Sequence, residues 1–139
     1  MPDIINIHSN KKEIEIQRDG VKVGSIYFDP TDMSIIQRLK DVRSKLPELD
    51  PSIDKTNVDA MLAEAGKIDT ELRAAIDYAF DYPCSDVVFG AGYSFTTCKG
   101  VSALEQFLDG AIKYISKEMD AESKAAQKRQ DKYLAKYAK

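Results

Sequence analysis

The apolar positions of this chain change their period along its length, and each change marks an element. Ile14 and Ile16 alternate with charged and polar residues, and Val21, Val23, Ile26 and Phe28 follow after Asp19-Gly20. Period two on both sides of a pair that readily takes positive φ predicts a β-hairpin with a tight turn. The alternation slips by one residue between Val23 and Ile26, so a β-bulge at Gly24-Ser25 is expected to restore the inward face. Ile4, Ile5 and Ile7 suggest a short strand ahead of the hairpin. A lone hairpin is marginal in water, so this one is expected to pack on helices or to pair with another strand, in this chain or a neighbouring subunit.

At DPTDMSIIQRLKDVRSKL the period lengthens to about 3.6, with Ile35, Ile36, Leu39, Val42 and Leu46 on one face. Asp29 is the expected cap, Pro30 suits the first helical position, and Asp32 favours the positive end of the helix dipole. Pro47 and Pro51 end this helix and open the connection PELDPSIDKTN. The longest stripe follows, from Val58 through Met61, Leu62, Ala65, Ile68, Leu72, Ala75, Ile76 and Ala79 to Phe80, with Asn57 or Thr56 as cap and Pro83 as stop. It predicts the spine of the core. Gly66 inside it costs about 1 kcal/mol against alanine, which points to a kink or a close helix contact.

A last helix is expected after Gly100 and Ser102, with Val101, Leu104, Phe107, Leu108, Ala111, Ile112 and Ile115 on its apolar face. Beyond Ile115 the stripe thins. SKEMDAESKAAQKRQDKYLAKYAK is rich in helix formers but offers only Met119, Ala126, Tyr133, Leu134 and Tyr137 to bury. It predicts a projecting or frayed helix that becomes ordered against a partner. The fold class is therefore α+β and mainly helical: an N-terminal hairpin packed on two or three amphipathic helices in one domain over residues 1–116, and a polar, basic helical tail over residues 117–139.

Composition sharpens this picture. With 139 residues, 43% of them hydrophobic, the chain suffices for one ordinary core. No apolar run approaches the roughly 20 residues of a membrane span, and the N-terminus lacks the pattern of a secretion signal, so a cytoplasmic protein is expected. Residues 1–116 carry 13 Lys/Arg and 19 Asp/Glu, whereas residues 117–139 carry 7 and 4. An acidic body argues against a nucleic-acid-binding domain, which needs a basic face for phosphates. The mixed signs of the tail read as a solvated helix.

Chemistry concentrates in CSDVVFGAGYSFTTC, residues 84–98. Cys84, Cys98 and the single His8 fall short of the four ligands of a closed zinc site, and no Cys-x-x-Cys pair suggests redox turnover. In a cytosolic chain the two cysteines are expected to be reduced, small buried thiols at the ends of a loop. His8 lies in an N-terminal stretch, followed by Ser9, Asn10 and two lysines, and reads as a solvated histidine rather than a catalytic base. Asp77 and Asp81 stand one turn apart, a spacing that a paired-acid site and an ordinary solvated face both produce. The GAG at residues 90–92 lacks the third glycine of a dinucleotide fingerprint, and no Lys-Ser/Thr pair follows as in a phosphate loop. No catalytic, cofactor or metal residue is assigned. Val87 and Phe89 suit packing of a loop or short strand on the helices, while Phe89, Tyr93 and Phe95 around flexible glycines also suit an interface. Phe89, Tyr93 and Phe95, with Tyr133 and Tyr137 of the tail, are the candidate partner-binding residues.

The order of these pieces is itself informative. A short acidic hairpin, a helix start of the DPTD type, a long helix ending at Asp-Tyr-Pro-Cys, Ser-Asp-Val-Val-Phe-Gly at residues 85–90, an aromatic loop and the helix ALEQFLDGAIKYI together resemble tail assembly chaperones. These are small cytoplasmic proteins encoded in the tail gene clusters of long-tailed bacteriophages and prophages. The resemblance covers residues 13–116. It implies a non-enzymatic protein that escorts the tape measure protein, recruits tail tube subunits, self-associates and is absent from the finished virion. It also implies a longer product made by ribosomal frameshifting, with a second domain attached where the polar tail lies. Two other classes stay open. One is a structural tail or head-tail connector subunit; the other is a small ligand-binding or enzymatic domain using Asp77, Asp81 or Cys84.

Overall fold

The computed structural model describes residues 1–44 and 56–137; the side chain of Tyr137 and the expected helix stop at Leu46, Pro47 and Pro51 lie outside that description. Two strands, β1 (Lys12–Arg18) and β2 (Val21–Phe28), pair antiparallel, with Ile14 opposite Ile26 and Lys12 opposite Phe28. Asp19 and Gly20 both take positive φ, 53° and 80°, which matches the right-handed strand twist and closes the hairpin in two residues. The bulge lies one residue earlier than the alternation predicts. Ile16 faces Gly24 and Gln17 faces Lys22, which leaves Val23 as the extra residue. Gly24 serves a different purpose: a Cβ there would stand 2.8 Å from Val87 Cγ1, so glycine lets the hairpin lie directly on the next layer. The predicted strand at Ile4, Ile5 and Ile7 does not form. Those residues carry no regular structure and are 85–91% exposed.

The helix α1 (Met33–Ser44) starts one turn later than its prolyl entry suggests. Asp32 takes the capping place, its carboxylate accepting from Ser34 N at 3.0 Å and Ser34 Oγ at 2.7 Å. Asp29 instead folds a turn around the buried Pro30, accepting from Thr31 N and Oγ1 at 2.9 and 2.6 Å. α1 buries Ile35, Leu39 and Val42.

Helix α2 (Val58–Phe80) is the spine that the spacing predicts, capped by Asn57 Oδ1 on Ala60 N at 3.1 Å. Ile68, Leu72, Ile76, Ala79 and Phe80 are buried, whereas Val58 and Leu62 are exposed. A Cβ at Gly66 would meet nothing within 4 Å among the described residues, so no close contact with another described helix lies there. The helix ends before Pro83, with Asp81 left-handed at φ 53° and Tyr82 N donating back to Asp77 O at 3.1 Å. Arg38 Nε donates to Ala79 O at 2.8 Å, so α1 supplies a cation to a carbonyl of the last turn of α2.

After α2 the chain forms a short helix α3 (Ser85–Phe89), where the composition suggests a loop or strand. A hairpin of two-residue strands, β3 (Thr97–Cys98) and β4 (Val101–Ser102), then leads into α4 (Ala103–Tyr137). Val101 is consequently a strand residue rather than a member of the helical face, and Ser102 Oγ caps α4 by accepting from Glu105 N at 3.1 Å. α4 continues through Ile115 without a break. Met119 is the last residue packed against the core, and Glu118 pairs with Lys12 at 3.6 Å; residues 120–136 are exposed throughout.

Aromatic contacts join the layers. The rings of Phe28 and Phe80 lie 4.9 Å apart, Phe28 and Tyr114 6.2 Å, Phe80 and Phe107 5.6 Å, and Phe89 and Phe107 6.2 Å. Each such pair adds about 0.5–1.5 kcal/mol beyond its buried area. Together they tie β2, α2, α3 and α4 around Ile76, Leu104 and Leu108, which are at most 1% exposed. Ile76→Asp should therefore abolish cooperative thermal melting, because an unpaired charge there costs several kcal/mol against a total stability of about 5–15. Ile76→Val should cost only about 1 kcal/mol. Circular dichroism melts of both variants check the pair.

Candidate functional site

The segment from Cys84 to Cys98 is organised by α2. The Asp77 carboxylate reaches forward from that helix, accepting from Ser85 N at 2.8 Å and Ser85 Oγ at 3.1 Å, and so holds the start of α3. One turn earlier, Arg73 spends its donors on the same segment. Nε meets Asp69 Oδ2 at 2.8 Å, Nη1 meets Asp86 Oδ1 at 2.8 Å, and Nη2 donates to the carbonyls of Gly90 and Gly92 at 2.7 and 2.6 Å. Its guanidinium carbon also lies 5.7 Å from the centre of the Phe89 ring. Asp69 completes the brace by accepting from Ser94 N at 2.7 Å. Burial alone would raise the Asp69 pKa, but the Ser94 amide and Arg73 outweigh it and hold the carboxyl below its ordinary value.

From the other side, Arg18 Nη2 donates to Val88 O at 2.7 Å. Gly90 takes φ +62°, a conformation that favours glycine, and a Cβ there would press only on the tip of the Arg18 side chain, at 2.7 Å from Nη1. The backbone leading through Gly90, Gly92 and Ser94 is thus held by two arginines and an aspartate. On it, Tyr93 and Phe95 stack with centroids 5.2 Å apart and planes within 8°. Tyr93 is exposed and Phe95 half-buried, so the pair presents one aromatic surface from a fixed backbone.

The sequence candidates separate accordingly. Phe89 is only 3% exposed within the core, which removes it as a contact residue and makes it a packing residue. Tyr93 and Phe95 come together. Tyr133 is exposed on α4, but thirty residues beyond Ala103, about 45 Å along a helix, so it belongs to a different surface from the loop. Asp77 is engaged with Ser85, while Asp81 is the exposed left-handed cap of α2, so the two do not form a facing pair. Cys84 is buried, as expected, but Cys98 is exposed on the small hairpin, and both are free thiols. Burial, then the nearby Asp77 charge, pushes the Cys84 thiol up to about 12. Among the described residues, no group of three or more His, Cys, Asp or Glu stands where it could hold a metal ion. No described helix is long and apolar enough to cross a membrane. Arg73 and Asp69 were not legible as loop anchors; their signal is an acid-to-base pair four residues apart beside the apolar stripe of α2.

Arg73→Ala should destabilise the domain by about 3 kcal/mol, because it leaves the Asp69 carboxylate without its cation at a site where both side chains are at most 16% exposed. Since the folded-state pKa of Asp69 is depressed, its contribution is present above the unfolded value of about 4 and is lost as pH falls through the folded value. Melting temperatures followed downward from pH 7 should therefore fall more steeply for the native chain than for Asp69→Asn. Thiol titration at pH 8 should read one reactive cysteine in the folded protein and two in denaturant, with Cys98→Ser abolishing the folded-state signal.

Comparison of the chain with protein-family models, with curated proteins and with solved structures finds no match to any of them.

Proposed function

We propose that this chain is a non-enzymatic tail assembly chaperone of a long-tailed bacteriophage or prophage, which binds the tape measure protein and helps recruit tail tube subunits in the host cytoplasm. The observation that carries the protein-binding half of this reading is the stacked Tyr93–Phe95 pair on its braced loop. An exposed tyrosine stacked on a half-buried phenylalanine, on a backbone already fixed by Arg73 and Asp69, loses little conformational freedom on binding, which is how a small surface acquires useful affinity. The tail-assembly half rests on the resemblance carried by residues 13–116, Ser85–Gly90 above all. A structural tail or connector subunit is the second reading, favoured by the exposed polar length of α4, which suits lateral contact between subunits.

Light scattering of the purified chain, alone and mixed with a tape measure segment, separates these readings. A defined heavier complex, weakened about tenfold or more by Tyr93→Ala, is the expected result. Binding indifferent to Tyr93 would remove the loop from the proposal. Rings or tubes formed by the chain alone, with no uptake of the segment, would favour the structural subunit.

A further inference from the structure

The N-terminal arm and the open β1 edge of the hairpin present complementary unfinished surfaces. Ile4, Ile5 and Ile7 are 85%, 91% and 86% exposed, a concentration of apolar surface with no packing partner among the described residues. Between β1 and α4 runs a groove of about 540 Å³, walled by Ile14, Ile16 and Phe28 on the strands and by Phe107 and Tyr114 on the helix. Its room comes from the small residues Ala103 and Gly110 on the same side of α4; at Gly110 a side chain would meet nothing within 4 Å. β1 is bonded to β2 on one edge only, so its outer edge has backbone donors and acceptors to offer an extended segment.

The arm does not occupy the groove of its own chain. Asn10 N donates to Asp29 Oδ2 and Asn10 Nδ2 to Thr31 Oγ1, each at 3.2 Å, which ties the arm to the turn following β2. The chain therefore leaves Lys12 in continuation of β1, while the groove runs the opposite way, toward Arg18 and Ala103. Folding back would require a reversal within the tethered residues. A second copy has no such constraint.

We propose that the groove between β1 and α4 receives the N-terminal arm of a second copy of this chain, with Ile5 and Ile7 seated against Ile14, Ile16 and Phe107. Ile5 and Ile7 are two residues apart, so an extended arm presents both on one side, and Asn6 and His8 on the other. The exchange covers apolar surface on both partners and extends the two-stranded sheet. It uses neither the Tyr93–Phe95 loop nor a tape measure segment, so it stands or falls separately from the function proposed above.

The test uses two full-length variants. Ile5→Asp/Ile7→Asp disables the arm, and Gly110→Leu fills the groove while raising helix propensity. The native chain should sediment at a multiple of 15.5 kDa, and each variant alone should fall to 15.5 kDa while keeping its melting transition. Mixed in equal amounts, the two should form a dimer, because one retains a groove and the other an arm. A native chain that is monomeric at high concentration, a mass unchanged by either variant, or a mixture that stays monomeric would each overturn the proposal.

Discussion

The guanidinium of Arg73 is the interaction on which the chain beyond α2 depends. A segment of loop, one short helix and a hairpin of two two-residue strands lies between Phe80 and Ala103, and such a segment buries too little apolar surface to hold its own shape. Arg73 meets two carboxylates and two carbonyls of that neighbourhood, all within 2.8 Å. With Asp69 both side chains are at most 16% exposed, where charge-assisted bonds are weakly screened, whereas Asp86 is 92% exposed and its pair is screened by solvent. The contrast with the ion pairs Lys22–Glu15, Arg43–Asp109 and Lys124–Asp120 is one of magnitude: those are 45–78% exposed and add about 0–1 kcal/mol each. Arginine is also the only side chain with the fork of donors needed to reach Asp69, Asp86, Gly90 and Gly92 together, so lysine there would lose most of the brace.

The elements that were legible in the sequence are those whose own periodicity decides their structure. Ile14, Ile16, Ile26 and Phe28 mark the hairpin, Asp19-Gly20 its turn, and the stripe from Ile68 to Phe80 the central helix, because each buries a face at fixed spacing. What was not legible depends on partners distant in the chain. α3 has too few residues to show a helical period and is held by Asp77, eight residues before Ser85. Phe89 reads equally well as an anchor or a contact until α4 brings Phe107 beside it. Asp29 and Asp32 both suit a cap, and the choice falls to Asp32 because the Asp29 carboxylate is taken by Thr31 and Asn10. Ile4, Ile5 and Ile7 show apolar character, but a strand also needs a neighbour, and the tether at Asn10 supplies none for them.

α4 carries two physical regimes on one backbone. Up to Met119 its apolar face is packed against the other layers; from Asp120 onward no residue through Lys136 is buried even partly. An isolated helix of that second kind faces an unfavourable nucleation step, but here the nucleus is already made by the packed half, and each further residue adds a hydrogen bond at the cost of propagation alone. Alanine, lysine and glutamine then suffice, with the (i, i+4) pairs Lys124–Asp120 and Gln127–Asp131 adding a few tenths of a kcal/mol each. The sequence boundary near residue 116 is thus a boundary in burial, not in secondary structure.

The two proposed binding surfaces lie at opposite kinds of place. The Tyr93–Phe95 surface is finished within the chain: its backbone is fixed before any partner arrives, so a partner gains contact area against little ordering cost. The arm is unfinished, and any partner must order its backbone residue by residue, at roughly 1–2 kcal/mol each. Only a contact that buries several large apolar side chains at once can offset that cost, at about 1.5–3 kcal/mol per isoleucine. Ile5 and Ile7 on one side of the arm, together with backbone bonds to the open edge of β1, act against that cost, and the groove beside them is lined by isoleucine and aromatic rings.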